Sequence, residues 1–182
     1  MTGTRPPRRP GLAIYARLSP IGVDDWAQVR SLHIASFLSL VGTGLDLDLV
    51  EAARQAFMIP EYTEELMQES VWGAWLDGHL IGTCGWRPAD DNGLQARVTA
   101  LFVDPLFTRN GVGRSLLADA EARAGAAGFA VVTTRATAHS VGFFEACGYE
   151  VSSHGVHVIC ERRDLPVTFL RKALAQPAAR AG

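Results

Sequence analysis

The 182-residue chain is 48% apolar and 20% charged, with a net charge of −2 and a pI near 6.2, which predicts one soluble domain able to bury its own core. That balance gives no general attraction for nucleic acid, and three scattered cysteines without a Cys-x-x-Cys pair argue against a disulfide framework or a zinc site. No apolar run reaches the roughly 18 residues of a membrane span, and no basic-then-apolar leader opens the chain, so no membrane partner and a cytoplasmic location are expected.

Residues 1–10, with Arg5, Arg8 and Arg9 among prolines, predict a disordered tail. Gly11 to Ser19 alternates as a first strand, which Ser19-Pro20 should end. Asp24 and Asp25 then open a helix in which Trp26, Val29, His33, Ile34 and Phe37 recur at helical spacing, until Gly42-Thr43-Gly44 breaks it. A second helix is expected from Asp48 to Met58, ended by Pro60, and a short third over Glu61–Glu69.

Val71–Leu76 and His79–Trp86 flank Asp77-Gly78, a hairpin signal. Asp90–Gly93 supplies the next turn before a strand from Arg97 to Val103, so three antiparallel strands should follow one another. A helix from Val112 to Ala124 leads to a buried strand, Phe129–Thr134, which a helical crossover makes parallel to the strand before it. Ser140–Cys147 reads as a short helix stopped by Gly148, and two β stretches, Tyr149–Cys160 and Leu165–Lys172, complete the order. The Ala/Pro-rich residues 173–182 predict a loose tail.

Between the Arg97–Val103 strand and the Val112 helix lies Asp104-Pro-Leu-Phe-Thr-Arg-Asn-Gly-Val-Gly-Arg-Ser115. The first amides of a helix lack partners and carry its positive dipole end, so they accept anions, phosphate above all. Gly111 and Gly113 let a ligand approach the main chain, and Arg109 and Arg114 offer charge. A nucleotidase P-loop would need Lys-Ser/Thr after the last glycine, where Arg114-Ser115 stands, and a dinucleotide loop would need glycine at position 116, which is leucine.

Gly111-Val-Gly-Arg-Ser-Leu-Leu117, the preceding Leu101-Phe-Val-Asp-Pro105 and the later Phe143-Phe-Glu-Ala-Cys-Gly-Tyr149 together resemble the GCN5-related N-acetyltransferase (GNAT) family. The resemblance covers about residues 11–172 and implies one mixed α/β domain. Its sheet should have about seven mostly antiparallel strands flanked by helices. It further implies acetyl-CoA as co-substrate, with pyrophosphate on Thr108, Arg109, Asn110, Gly111, Val112, Gly113, Arg114 and Ser115, and the pantetheine arm beside Leu101, Phe102 and Val103. The Val103 amide would face the oxyanion. Thr108 stands where the family has Gln or Arg, and Phe144, which would touch the cofactor, stands where it often has a general-acid tyrosine.

Direct acetyl transfer to an amine needs a base, an oxyanion donor and a proton for the thiolate. No Asp or Glu lies between Arg97 and Val103, where some family members carry a base. Tyr149 is available as an acid or as a packing aromatic, His139 as a titrating or capping group, and Cys147 as a nucleophile or an inert thiol. His154 and His157 face opposite ways along a strand and make a poor metal pair, so no metal is expected. Asp46, Asp48, Glu51, Glu61, Glu64, Glu65 and Glu69, near Trp26, Phe37, Phe57, Tyr62 and Trp86, would suit a cationic small-molecule or amino-acid-like amine, or else form a solvated helical surface. The alternatives are transfer to a protein amine and, because of Phe144, a non-catalytic acyl-CoA-binding module. Homodimerisation is common in the family.

Overall fold

A computed structural model describes residues 15–40, 47–89, 94–159 and 163–175. Seven strands form a single sheet: β1 (Arg17–Pro20), β2 (Ser70–Leu76), β3 (His79–Pro88), β4 (Gln95–Val103), β5 (Val131–Ala136), β6 (Glu150–Ile159) and β7 (Arg163–Ala173). Their order is β1-β2-β3-β4-β5-β7-β6, with β4 and β5 parallel and every other neighbour antiparallel. Helices α1 (Trp26–Leu40), α2 (Leu47–Met58), α3 (Pro60–Met67), α4 (Val112–Ala126) and α5 (Val141–Glu145) flank it.

Alternation along the strands gives each helical layer its own core. Ala96, Val98, Val132 and Leu170 point to α4 and α5, where they bury Leu116, Leu117, Ala120 and Phe144. On the other side Val29, Leu32 and Leu66 cover Val71 and Leu80, while Phe37 and Ala53 cover Leu165 and Val167. Asp77 and Gly78 both take positive φ, 50° and 82°, the backbone of a two-residue hairpin turn whose twist matches its strands.

Strand ends shift by a residue or two from the sequence expectation, and three details bear on the architecture. β1 does end at Ser19-Pro20, but these two residues are its last paired positions, opposite Gly73 and Trp72, rather than the break after it, which proline tolerates because β1 is an edge strand. β5 runs on to Ala136 and is buried on alternate residues only, leaving Thr133 and Arg135 on a partly open face. β7 continues to Ala173, after which the Leu174 amide donates to the Ala130 carbonyl at 2.8 Å. The Gly11–Ile14 start of the first strand, the Gly42–Gly44 break, the Asp90–Gly93 turn, Cys160 and the tails 1–10 and 176–182 lie outside the described residues.

Candidate functional site

The glycine loop leaves β4 at Asp104, whose carboxylate accepts the Leu106 amide at 2.8 Å and starts a 3-10 turn over Pro105–Phe107. Arg109 and Gly111 then take left-handed φ values of 64° and 85° and aim the chain into α4. The Ser115 amide is the first to bond back into the helix, to the Gly111 carbonyl at 3.0 Å. The amides of Gly111, Val112, Gly113 and Arg114 therefore donate no backbone hydrogen bond among the described residues. A Cβ on Gly113 would lie 3.4 Å from Val103 and 3.6 Å from Phe143, in the seam between strand, loop and α5. Both terminal nitrogens of Arg114 donate to the Ala146 carbonyl at 3.2 Å, so its side chain ties α4 to the end of α5, while Arg109 is exposed. Asn110 Nδ2 donates to the Thr108 carbonyl at 3.0 Å and the Thr108 hydroxyl to the Pro105 carbonyl at 3.1 Å, which stiffens the loop from within.

Beside this loop the sheet opens. β4 pairs with β5 only over Gln95–Arg97, and beyond that only the Thr134 hydroxyl crosses, donating to the Val98 carbonyl at 3.3 Å. Because Phe102 and Asp104 turn their main-chain groups to β3, antiparallel alternation points those of Leu101 and Val103 into the gap. Phe102 instead stacks its ring on His33, 4.1 Å between centroids.

At the gap's rim Ala100 holds φ of 49°, a costly conformation for a residue with a Cβ, and the β3–β4 register slips there. A buried chain fixes it. The Thr83 hydroxyl donates to the Ala100 carbonyl at 2.7 Å and, its one proton spent, must accept from His33 Nε2 at 2.7 Å. His33 Nδ1 then accepts from the Tyr62 hydroxyl at 2.6 Å. Burial lowers the His33 pKa to about 3, so the ring stays neutral, and it pushes the Tyr62 phenol well above its ordinary range. The sequence shows His33 only as one more position at helical spacing; the Thr83 partner, fifty residues away, carries no local signal.

The same face of the sheet holds Glu69 between α3 and β2. Its carboxylate accepts from the Thr99 hydroxyl and, at 3.1 Å, from Arg87 Nε, while burial raises its pKa against those two interactions. Gly85 leaves it room, since a Cβ there would sit 3.1 Å from Thr99 Oγ1 and 3.5 Å from Glu69 Oε2. A carboxylate from the α3–β2 connection thus reaches across β3 to β4 at Thr99. The other helical carboxylates gather into no such site: Glu61, Glu64 and Glu65 are exposed and Glu51 pairs with Arg54 at 2.7 Å. Asp46 lies outside the described residues.

Of the remaining candidates, Phe144 is buried against Phe143 and Tyr149, each 5.3 Å away between ring centroids. Tyr149 is 3% exposed, and its phenol, raised above its usual range by burial and then by Glu121, has no hydrogen-bond partner among the described residues. That is packing rather than access to a thiol. Burial also raises Cys147, which is the reverse of an activated thiolate. His139 is exposed, His154 meets Thr168 at 3.1 Å and His157 meets Arg135 at 2.9 Å. Among the described residues no three His, Cys, Asp or Glu side chains cluster as metal ligands. A cavity of about 700 Å³ between α1 and the β2–β3 hairpin contains none of the candidate residues. One of about 330 Å³ adjoins Arg97, Thr133, Ser153 and Phe169.

Open amides at a helix start, a left-handed glycine before them and an unpaired strand edge beside them fit a ligand with a pyrophosphate and a peptide-like arm. The sequence family described as acetyltransferase (GNAT) family matches residues 26–149. The curated proteins give no match. Among solved structures, a GCN5-related N-acetyltransferase, aminotransferase class-II, from Rhodopseudomonas palustris superposes with a TM-score of 0.79 at 23% identity, over 87% of this chain and 96% of the other. PaiA N-acetyltransferase of Thermoplasma acidophilum in complex with coenzyme A gives 0.64 at 17%, over 87% and 98%. The structure of yncA from Salmonella typhimurium with its cofactor acetyl-CoA gives 0.61 at 16%, over 90% and 96%. These likenesses show the fold, a mixed sheet of seven strands with helices on both faces.

Proposed function

Because the chain belongs to the GNAT acetyltransferase family, we propose that it transfers the acetyl group of acetyl-CoA directly to the amine of a small-molecule or amino-acid-like acceptor. One observation carries the reading: four unengaged amides, Gly111 to Arg114, beside the point where β4 parts from β5.

The co-substrate supplies a thioester carbonyl open to attack. The amides of Gly111–Arg114 receive its pyrophosphate, with Arg109 adding charge from outside and Thr108, Asn110 and Ser115 shaping the rim. Leu101 and Val103 pair their free main-chain groups with the pantetheine arm, and the Val103 amide stands where oxyanion charge develops. Glu69, on the face opposite α4, takes the proton that an ammonium must lose before it can attack. The amine's lone pair forms the C–N bond, the C–S bond breaks, and the thiolate takes a proton from water, since Phe144 has none to give and Tyr149 is packed away. Residues 11–172 act as the catalytic unit.

The test is release of free thiol from acetyl-CoA by the purified chain, screened against amines, with acetyl-CoA binding followed calorimetrically and Gly113→Asp as control. Amine-dependent release that rises with pH, and binding that the variant loses, is the expected result. Buried Phe144 favours one second reading, a non-catalytic acyl-CoA-binding module, which would bind acetyl-CoA yet release no thiol with any amine, peptide or antibiotic offered.

A further inference from the structure

We propose that the acceptor carries a carboxylate beside its amine and that Arg97, assisted by Arg135, receives it; this deepens the acetyltransferase reading and rests on it. The ladder sets Arg87 of β3 directly opposite Arg97 of β4, and Arg97 opposite Thr133 of β5, two residues before Arg135. Like charges directly opposite one another weaken a sheet, so this arrangement runs against the strands' own stability.

The described residues neutralise the cluster only in part. Glu69 supplies a carboxylate, but Arg87 and Thr99 already occupy it. Glu65 sits exposed on α3 at the rim. Arg135 donates to His157 Nδ1 at 2.9 Å, a bond that requires this nitrogen to be unprotonated, so His157 brings no negative charge. The Arg97 side chain makes no ion pair or hydrogen bond among the described residues, though it is partly buried. Burial first, and then neighbouring arginines (Arg135 and Arg87 for Arg97, Arg87 for Arg135), pull both guanidiniums below their usual range, and Glu69 offsets this only in part.

Space and spacing match a small zwitterion. The cavity of about 330 Å³ beside Arg97 is of small-molecule size. Arg97 and Thr99 lie two residues apart on one strand face, about 6.6 Å at the usual rise. A carboxylate held on the Arg97 fork thereby leaves the neighbouring amine within reach of Glu69 at Thr99. A polyamine would bring a second cation against the same arginines and be rejected.

The experiment compares L-phenylalanine, L-methionine and L-glutamate with their α-amides and decarboxylated amines as acceptors for the full chain. We expect kcat/KM for the acids to exceed that for the amides by about tenfold to a hundredfold, mostly through KM, as charge-assisted pairing implies. Arg97→Gln should narrow that ratio to below about threefold and Arg97→Lys should keep part of it. Binding of the N-acetyl-L-amino acids to the unmodified chain, followed by tryptophan fluorescence without acetyl-CoA, gives a readout that needs neither turnover nor a variant. Equal rates for acids and amides, or a preference for polyamines, would overturn the carboxylate site while leaving the acetyltransferase intact. Failure to bind acetyl-CoA, with N-acetyl-amino acids still bound in an Arg97-dependent way, would overturn the acetyltransferase reading and keep the anion site.

Discussion

His33 does its work without ever changing charge. Its pKa in the folded chain is about 3, against 6.5 in the open chain, because burial penalises the imidazolium. Above pH 6.5 both states are neutral and the histidine costs nothing; below it the unfolded chain takes up a proton that the folded chain refuses, so stability falls as pH drops toward 3. The full loss is on the order of 5 kcal/mol. Melting temperatures of the parent and His33→Leu between pH 7 and pH 4 check this: the variant is less stable throughout, but its pH dependence should be distinctly flatter. Glu69 makes the opposite kind of prediction, about rate. A buried base with a raised pKa must lose its proton to work, so kcat/KM should fall on the acid side of a pKa above the ordinary carboxylate range. Glu69→Gln should remove that limb and lower the rate by roughly 10²–10⁴-fold, and a fully active variant would dismiss Glu69 as the base. Neither role was legible in the sequence, because each depends on a hydroxyl from a distant strand, Thr83 for His33 and Thr99 for Glu69. Arg97 was equally silent, since nothing local announces that Arg87 will stand opposite it.

At the scale of elements, the glycine loop and the hairpin were readable because their chemistry is local. Gly111-Val-Gly113 lies where a strand yields to a helix, and Asp77-Gly78 supplies the two positive φ values the turn requires. What could not be read is how high α4 rides on the sheet. Gly82 of β3 decides that: a Cβ there would lie 2.9 Å from Leu116, 3.1 Å from the Phe102 carbonyl and 3.2 Å from Val112, so its absence lets the first turns of the helix settle onto the strand. Gly82→Ala must lift the turn that begins with the open amides. We expect a stability loss of about 1–3 kcal/mol from overpacking, seen in denaturant unfolding, together with weaker acetyl-CoA binding. Gly78→Ala, with open space around it, should cost about 1 kcal/mol through its backbone alone and leave acetyl-CoA binding untouched.

For the whole molecule, periodicity identified every described strand and the longer helices, and the helical crossover was enough to make β4 and β5 parallel. The insertion of β7 between β5 and β6 was beyond it, because strand order is set by burial on both faces rather than by succession in the chain. Nor could periodicity show that β4 and β5, once paired, would part after three residues. That parting means the two halves of the sheet are joined through a short ladder and the layers around it. A molecule whose arm lays peptide-like groups along Leu101 and Val103 would complete the ladder, becoming for the time it is bound an eighth strand with no sequence of its own. The protein would then be stiffest when loaded. Hydrogen–deuterium exchange should register this as slowed exchange at the Leu101 and Val103 amides with acetyl-CoA, while the Phe102 and Asp104 amides, already bonded to β3, change little.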